Sequence, residues 1–137
     1  MANKIVLDDE KLRKLMQIEP QLVSQWLDGF SEGMVTDIKL SMNTSPAGQT
    51  YTRGSVSHTA SQPGYPPNID IGNLIGTIRW EPQSTFTRKI IAGTDYAVPL
   101  EFGTERIAPR PFMTPAFDRA GRTIEDDARR NLHLEDL

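Results

Sequence analysis

The sequence predicts an α+β fold: a long N-terminal helix and a C-terminal helix packed on a small antiparallel β-sheet, with an extended Pro/Gly/Ser-rich arm. Three observations carry that expectation. Apolar residues recur every three or four positions from Gln21 to Met42 and again from Phe117 to Leu132, which places them on one face of a helix. Two short runs, Thr77 to Glu81 (TIRWE) and Thr85 to Ala92 (TFTRKIIA), have the alternation and β-branched content of strands. From Asn43 to Asp70 the chain is dense in Ser, Thr, Gly and Pro and nearly free of aliphatic side chains, too poor in apolar surface to order itself.

The elements follow in order. Residues 1–20 read as an N-terminal helical extension, with a short helix over 8–18 (DDEKLRKLMQI) whose acidic start and basic continuation suit the macrodipole. Pro20 interrupts it. The long helix then carries Leu22, Val23, Trp26, Leu27, Phe30, Met34, Ile38 and Met42 on one face. Gly29 and Gly33 each cost that helix about 1 kcal/mol relative to Ala; they either let another backbone approach or are tolerated exposed positions. Residues 43–70 form an extended loop or weak hairpin arm, ordered on assembly. A turn of helix at Ile71 to Ile75 and the two strands follow, and Tyr96 to Gly103 (YAVPLEFG) reads as a short helix or a strand, since Pro99 weakens both. In the closing helix, residues 114–134, Thr114 is the expected N-cap and Pro115 the first-turn proline. Asp118 with Arg122, Glu125 with Arg129 and Asp126 with Arg130 stand four apart in the favourable order.

Composition bounds the function. The 137 residues make one domain's worth of chain, 37% hydrophobic and 24% charged, with a net charge of -3. That balance argues against a protein held on nucleic acid by bulk charge. Zero cysteines exclude disulfides, thiolate metal sites and Cys nucleophiles. No apolar run reaches the roughly 20 residues that span a bilayer, and MANKIVLDDE lacks the apolar core of a signal peptide, so the chain is expected to work without crossing a membrane.

Catalytic and metal-binding patterns are weak. His58 and His133, the only histidines, have no i, i+4 partner for zinc, and neither a GxSxG elbow, a phosphate loop nor a dinucleotide fingerprint occurs. No catalytic residue, metal or cofactor is therefore expected. Glu101 is the one carboxylate in apolar company, between Leu100 and Phe102; buried, it needs a hydrogen bond or a cation. Arg106, Arg110, Arg79 and Arg88 are the candidate partners for an ion pair, inside the subunit or across an interface.

The segment YAVPLEFGTERIAPRPFMTPAF, Tyr96 to Phe117, resembles the Tyr-Ala, Glu-Phe-Gly-Thr, Arg-Pro-Phe, Pro-Ala signature of the tailed-bacteriophage neck proteins, the head–tail joining or tail-completion family related to minor tail protein Z. A second block, HTASQPGYPPNIDIGNL from His58 to Leu74, is similar to that family's Ala-Ser-x-Pro-Gly-x-Pro-Pro segment and its Asp-x-Gly-x-Leu turn. The resemblance covers the chain from about Gln21 onward; Ile75 and Gly76 depart from the family's basic or polar residue after that turn, and residues 1–20 match nothing in it.

The resemblance implies a structural virion protein and no enzyme. It would form a homo-oligomeric ring, hexameric or dodecameric, between head connector or portal-side proteins and the tail terminator or tail tube. Such a protein is made in the bacterial host cytoplasm, ends in the virion neck and lets DNA pass. For this chain, with its net charge of -3, a mildly acidic lumen wall that repels the phosphates is the expectation. The expected interface comprises Glu101, Phe102, Gly103, Arg110, Pro111, Phe112, Met113, Pro115 and Phe117. Prolines lower the entropy of docking there and aromatic side chains anchor it; an internal corner of the monomer is the other reading of the same stretch. The expected assembly arm comprises Tyr51, Arg53, His58, Pro63, Gly64, Tyr65, Pro66 and Pro67. The alternatives are a tail terminator or head-completion protein at an adjacent ring, and a small phage-encoded hydrolase using Glu101 or His58.

Overall fold

The computed structural model describes residues 3–45, 47–67 and 73–137. Its secondary structure runs α1 (Glu10–Ile18), α2 (Pro20–Asn43), β1 (Ala47–Arg53), β2 (Val56–Ser61), α3 (Asn73–Thr77), β3 (Arg79–Ser84), β4 (Thr87–Ile91), α4 (Ala97–Phe102) and α5 (Met113–Asn131). The class is α+β, as the periodicities predict.

Helix α1 starts two residues later than its sequence pattern, because Asp9 leaves the helix to cap it: its Oδ1 accepts from the Lys11 and Leu12 amides at 2.9 and 3.0 Å. Pro20 opens α2 at its first turn, where the missing N–H costs nothing. Of the predicted apolar face of α2, Val23, Met34, Ile38 and Met42 are buried and Val35 joins them, whereas Leu22 is exposed. Gly29 and Gly33 are exposed, with open space where a Cβ would stand.

Two antiparallel hairpins replace a single sheet, β1 with β2 and β3 with β4. The first occupies the predicted arm. Its described side chains include paired hydroxyls, Thr50 with Thr59 at 2.9 Å and Thr52 with Ser57 at 3.4 Å. β3 runs on through Pro82, past the expected strand end at Glu81; the register slips between Pro82 and Ser84 and absorbs the missing donor. Arg88 ties this second hairpin to α2. Its Nε donates to Asp28 Oδ1 at 2.6 Å and its NH2 to Ser24 Oγ at 2.7 Å, while the Trp80 indole donates to Glu32 at 2.7 Å.

The core has two lobes along α2 and α5. Val35, Ile38 and Met42 meet Leu74, Ile78, Ala97, Phe112 and Ala116 in one. In the other, Leu12, Leu15 and Val23 meet Ala128, Leu132 and Leu134. Alanines on the buried stripe of α5 let it lie close to α2, and the Trp26 indole donates across that contact to Asp127 at 2.7 Å. α5 ends at Asn131, earlier than predicted: His133 adopts a left-handed φ of 51° and turns Leu134 inward. Of the predicted i, i+4 pairs, Glu125 and Arg129 meet at 3.3 Å, and Arg129 also reaches Asp9 and Glu135, each at 2.7 Å. The hydrogen bond from Arg129, and then that from Lys11, hold the Glu135 carboxyl below its usual pKa. The same bond to Glu135, with the Asp9 charge, raises that of Arg129.

Candidate interaction site

The Pro-rich stretch after α4 is a folded clasp. Gly103 follows α4 with φ 74° and ψ 174°, a conformation that only glycine adopts without strain. A Cβ there would lie 2.9 Å from the Ile107 carbonyl oxygen and from Pro109. Thr104 closes the next turn, donating its N–H to Ile107 O at 2.8 Å and accepting at Oγ1 from the Arg106 and Ile107 amides. The chain then returns alongside α4, with the Arg110 amide on Leu100 O at 2.6 Å.

Glu101 locks this return. Its Oε2 accepts from the Phe112 and Met113 amides at 2.8 and 3.0 Å, and its Oε1 from the Thr114 amide at 2.7 Å. These are the first free N–H groups of α5, so a carboxylate from the preceding helix caps it and complements its dipole. The helix begins at Met113 with Phe112 at the N-cap position; Thr114, predicted as the cap, is inside the helix, and its Oγ1 pairs with Asn3 at 3.1 Å. Three of the four expected arginine partners of Glu101 are engaged elsewhere, Arg79 with Glu81, Arg88 with Asp28, and Arg110 Nε with the Ser61 carbonyl at 3.3 Å, and the fourth, Arg106, is exposed. Three amides satisfy the buried charge without a cation.

The predicted interface residues thus divide. Glu101 and Phe112 are 7% and 1% exposed and belong to the monomer's interior, the internal-corner reading of that stretch. Gly103, Arg110, Pro111, Met113, Pro115 and Phe117 are half-buried. Phe102 is 54% exposed, beside Val98 at 66% and near Ile107 at 43%, two residues that the sequence did not single out. Part of the signal was present: Val98 and Phe102 are four apart, so in a helix they share a face.

In the arm, Pro63, Gly64 and Tyr65 are exposed, Pro66 is half-buried and Pro67 is buried. The backbone of Tyr51, Arg53 and His58 lies in β1 and β2, and their side chains are outside the described part of the structure. The base of the arm is fastened to the clasp, with the Gly64 amide donating to Pro109 O at 2.8 Å and Arg110 reaching Ser61 as above.

A cleft of about 680 Å³ opens beside the clasp, walled by Phe30, Ile90, Val98, Phe102 and Phe117 and crossed by the extended residues 3–7. Among the described residues the only carboxylate in its wall is Glu101, both of whose oxygens are committed to α5. Among the described residues no group of three or more His, Cys, Asp or Glu is placed to hold a metal ion, and no helix is long and apolar enough to cross a membrane. Comparison with protein-family models, with curated proteins and with solved structures finds no match to this chain.

Proposed function

We propose that this chain is a structural component of a tailed-phage neck, forming a homo-oligomeric ring that joins the DNA-filled head to the tail and lets DNA pass. The observation that carries the reading is the junction between arm and clasp. The two sequence blocks that resemble the neck family, Tyr96 to Phe117 and His58 to Leu74, are far apart in sequence, yet Gly64 of one bonds to Pro109 of the other and Ser61 to Arg110. The pair of motifs thus forms one physical unit that aims a hairpin away from an apolar clasp. Among the described residues β1 and β2 contact chiefly each other. A two-stranded hairpin is marginally stable alone in water, so an arm of this kind gains most by ordering against a neighbouring subunit. Its partners in this reading are copies of itself, a connector on the head side and a terminator or tube protein on the tail side, and it resides in the virion.

Electron microscopy of particles produced without this gene tests the proposal. Full heads beside detached tails of normal length are expected. Overlong tails would reassign the chain to a tail terminator, DNA-empty heads to head completion, and intact infectious particles would overturn the structural reading altogether.

A further inference from the structure

Residues 3–7 cross the cleft beside the clasp and belong to no helix or strand. Exposure alternates along them: Asn3, Ile5 and Leu7 are half-buried, whereas Lys4 and Val6 are exposed, Val6 to 71%. That period of two marks an extended segment laid on a surface. The cleft it crosses is walled by Phe30, Val98, Phe102 and Phe117.

The segment is held lightly. Among the described residues no backbone hydrogen bond joins residues 3–8 to the rest of the chain, whereas a segment built into a sheet edge is held by a ladder of them. Side chains alone tie its start, where the Asn3 amide group and the Thr114 hydroxyl meet at 3.1 and 3.3 Å. Ile5 belongs to neither core lobe, and Leu7 is a partly buried neighbour of the second. With the segment across it the cleft retains about 680 Å³, so the segment spans the cleft without filling it. The two residues that follow are held on α1 instead: Asp9 caps it and meets Arg129 at 2.7 Å, and Asp8 pairs with Arg13 at 2.5 Å. A pivot therefore lies between Leu7 and Asp8.

From these observations we infer that residues 3–7 are a releasable strap, a tethered ligand of the cleft. The cleft is a seat for an extended segment with apolar residues at alternate positions, and its occupant is the chain's own strap. Lifting the strap at its pivot leaves the cap of α1 in place and opens the wall formed by Val98, Phe102 and Phe117. A tether this short holds the strap at an effective concentration on the order of millimolar, so the closed form prevails and any competitor has to displace it.

A fluorescein-labelled peptide of residues 3–8 (NKIVLD), added to the full chain and followed by fluorescence polarisation, tests the inference. Ile5→Asp in the full chain unseats the strap and leaves the seat, so the peptide should bind that variant about tenfold or more tighter than the parent, whose own strap competes. Asn3→Ala, which removes only the bonds to Thr114, is the second variant and should shift the affinity the same way by less. A peptide carrying Val6→Asp should bind the Ile5→Asp chain as the native peptide does, because that position is exposed, and a peptide carrying Ile5→Asp should not bind. Circular dichroism checks that both variants fold. The inference is overturned by folded variants that bind the peptide no better than the parent, by an Ile5→Asp peptide that binds like the native one, or by loss of folding in both variants, which would make the strap part of the core. The readout needs neither a second copy nor a particle, so its failure leaves the neck reading to the particle phenotype.

Discussion

The carboxylate of Glu101 and the backbone amide of Thr114 meet at 2.7 Å across a separation of 13 residues, and with the Phe112 and Met113 amides they fasten the start of α5 to α4. A carboxylate that accepts three helix-terminal N–H groups is a structural fastener. Glu101→Ala would strand buried donors and should cost about 2–4 kcal/mol, read as a lowered urea midpoint. Glu101→Gln, which keeps an acceptor and loses the charge, should cost about half as much. An Ala variant of parental stability that had lost an enzymatic activity would instead return Glu101 to the hydrolase reading.

Gly103 should tolerate no side chain. Its φ of 74° with ψ of 174° and the 2.9 Å approaches to Ile107 and Pro109 predict that Gly103→Ala destabilises the chain by about 1–3 kcal/mol. Thermal denaturation followed by circular dichroism checks it. An unchanged melting temperature would mean that the clasp relaxes freely.

Arg88 is the rivet between β4 and α2, with a side chain only 5% exposed. Arg88→Met removes the bonds to Asp28 and Ser24 while keeping much of the packing, and should cost about 2 kcal/mol in a urea melt. Arg88→Lys should recover only part of that, because an ammonium lacks the planar spread of donors that reaches Asp28, Ser24 and the Ser84 carbonyl together.

Acid should loosen the chain terminus through Glu135. Its folded-state pKa lies below the ordinary value of 4.5, chiefly through the hydrogen bond from Arg129. Its contribution is therefore fully present above that ordinary value and is lost as pH falls through the folded one. Glu135→Gln should lower the melting temperature slightly at about pH 7, and that difference should vanish as pH falls through the folded-state pKa of Glu135. Both Glu135 and Arg129 are solvent-accessible, so about 1 M salt should shrink the difference.

How much of this was legible in the residues depends on range. The helical repeats of α2 and α5 and the single glycine after Phe102 are local signals, and each marks a real element or turn. The cap of α5 was not legible: Thr114 and Pro115 form a plausible local start, but Glu101 supplies the acceptors from another helix, and no spacing rule reveals that choice. The stretch of the β1–β2 hairpin is nearly free of aliphatic residues and so reads as weakly ordered; its hydroxyl pairs and the fastening at Ser61 and Gly64 join residues that no local pattern announces. Within the candidate site, Phe102 and Phe112 look equivalent in sequence. Only the turn at Gly103 and the return along α4 send one outward and the other into the core.

The two indole hydrogen bonds also make the chain its own spectrometer. Trp26 donates to Asp127 across the α2–α5 contact and Trp80 to Glu32 across the β3–α2 contact, and the sequence contains no third tryptophan. The joints of α2 with α5 and with β3 thus each carry one intrinsic fluorophore, so Trp26→Phe and Trp80→Phe give matched single-emitter chains. Whether the sheet parts from α2 together with α5 or ahead of it becomes a question of overlaying two emission curves, with no dye attached.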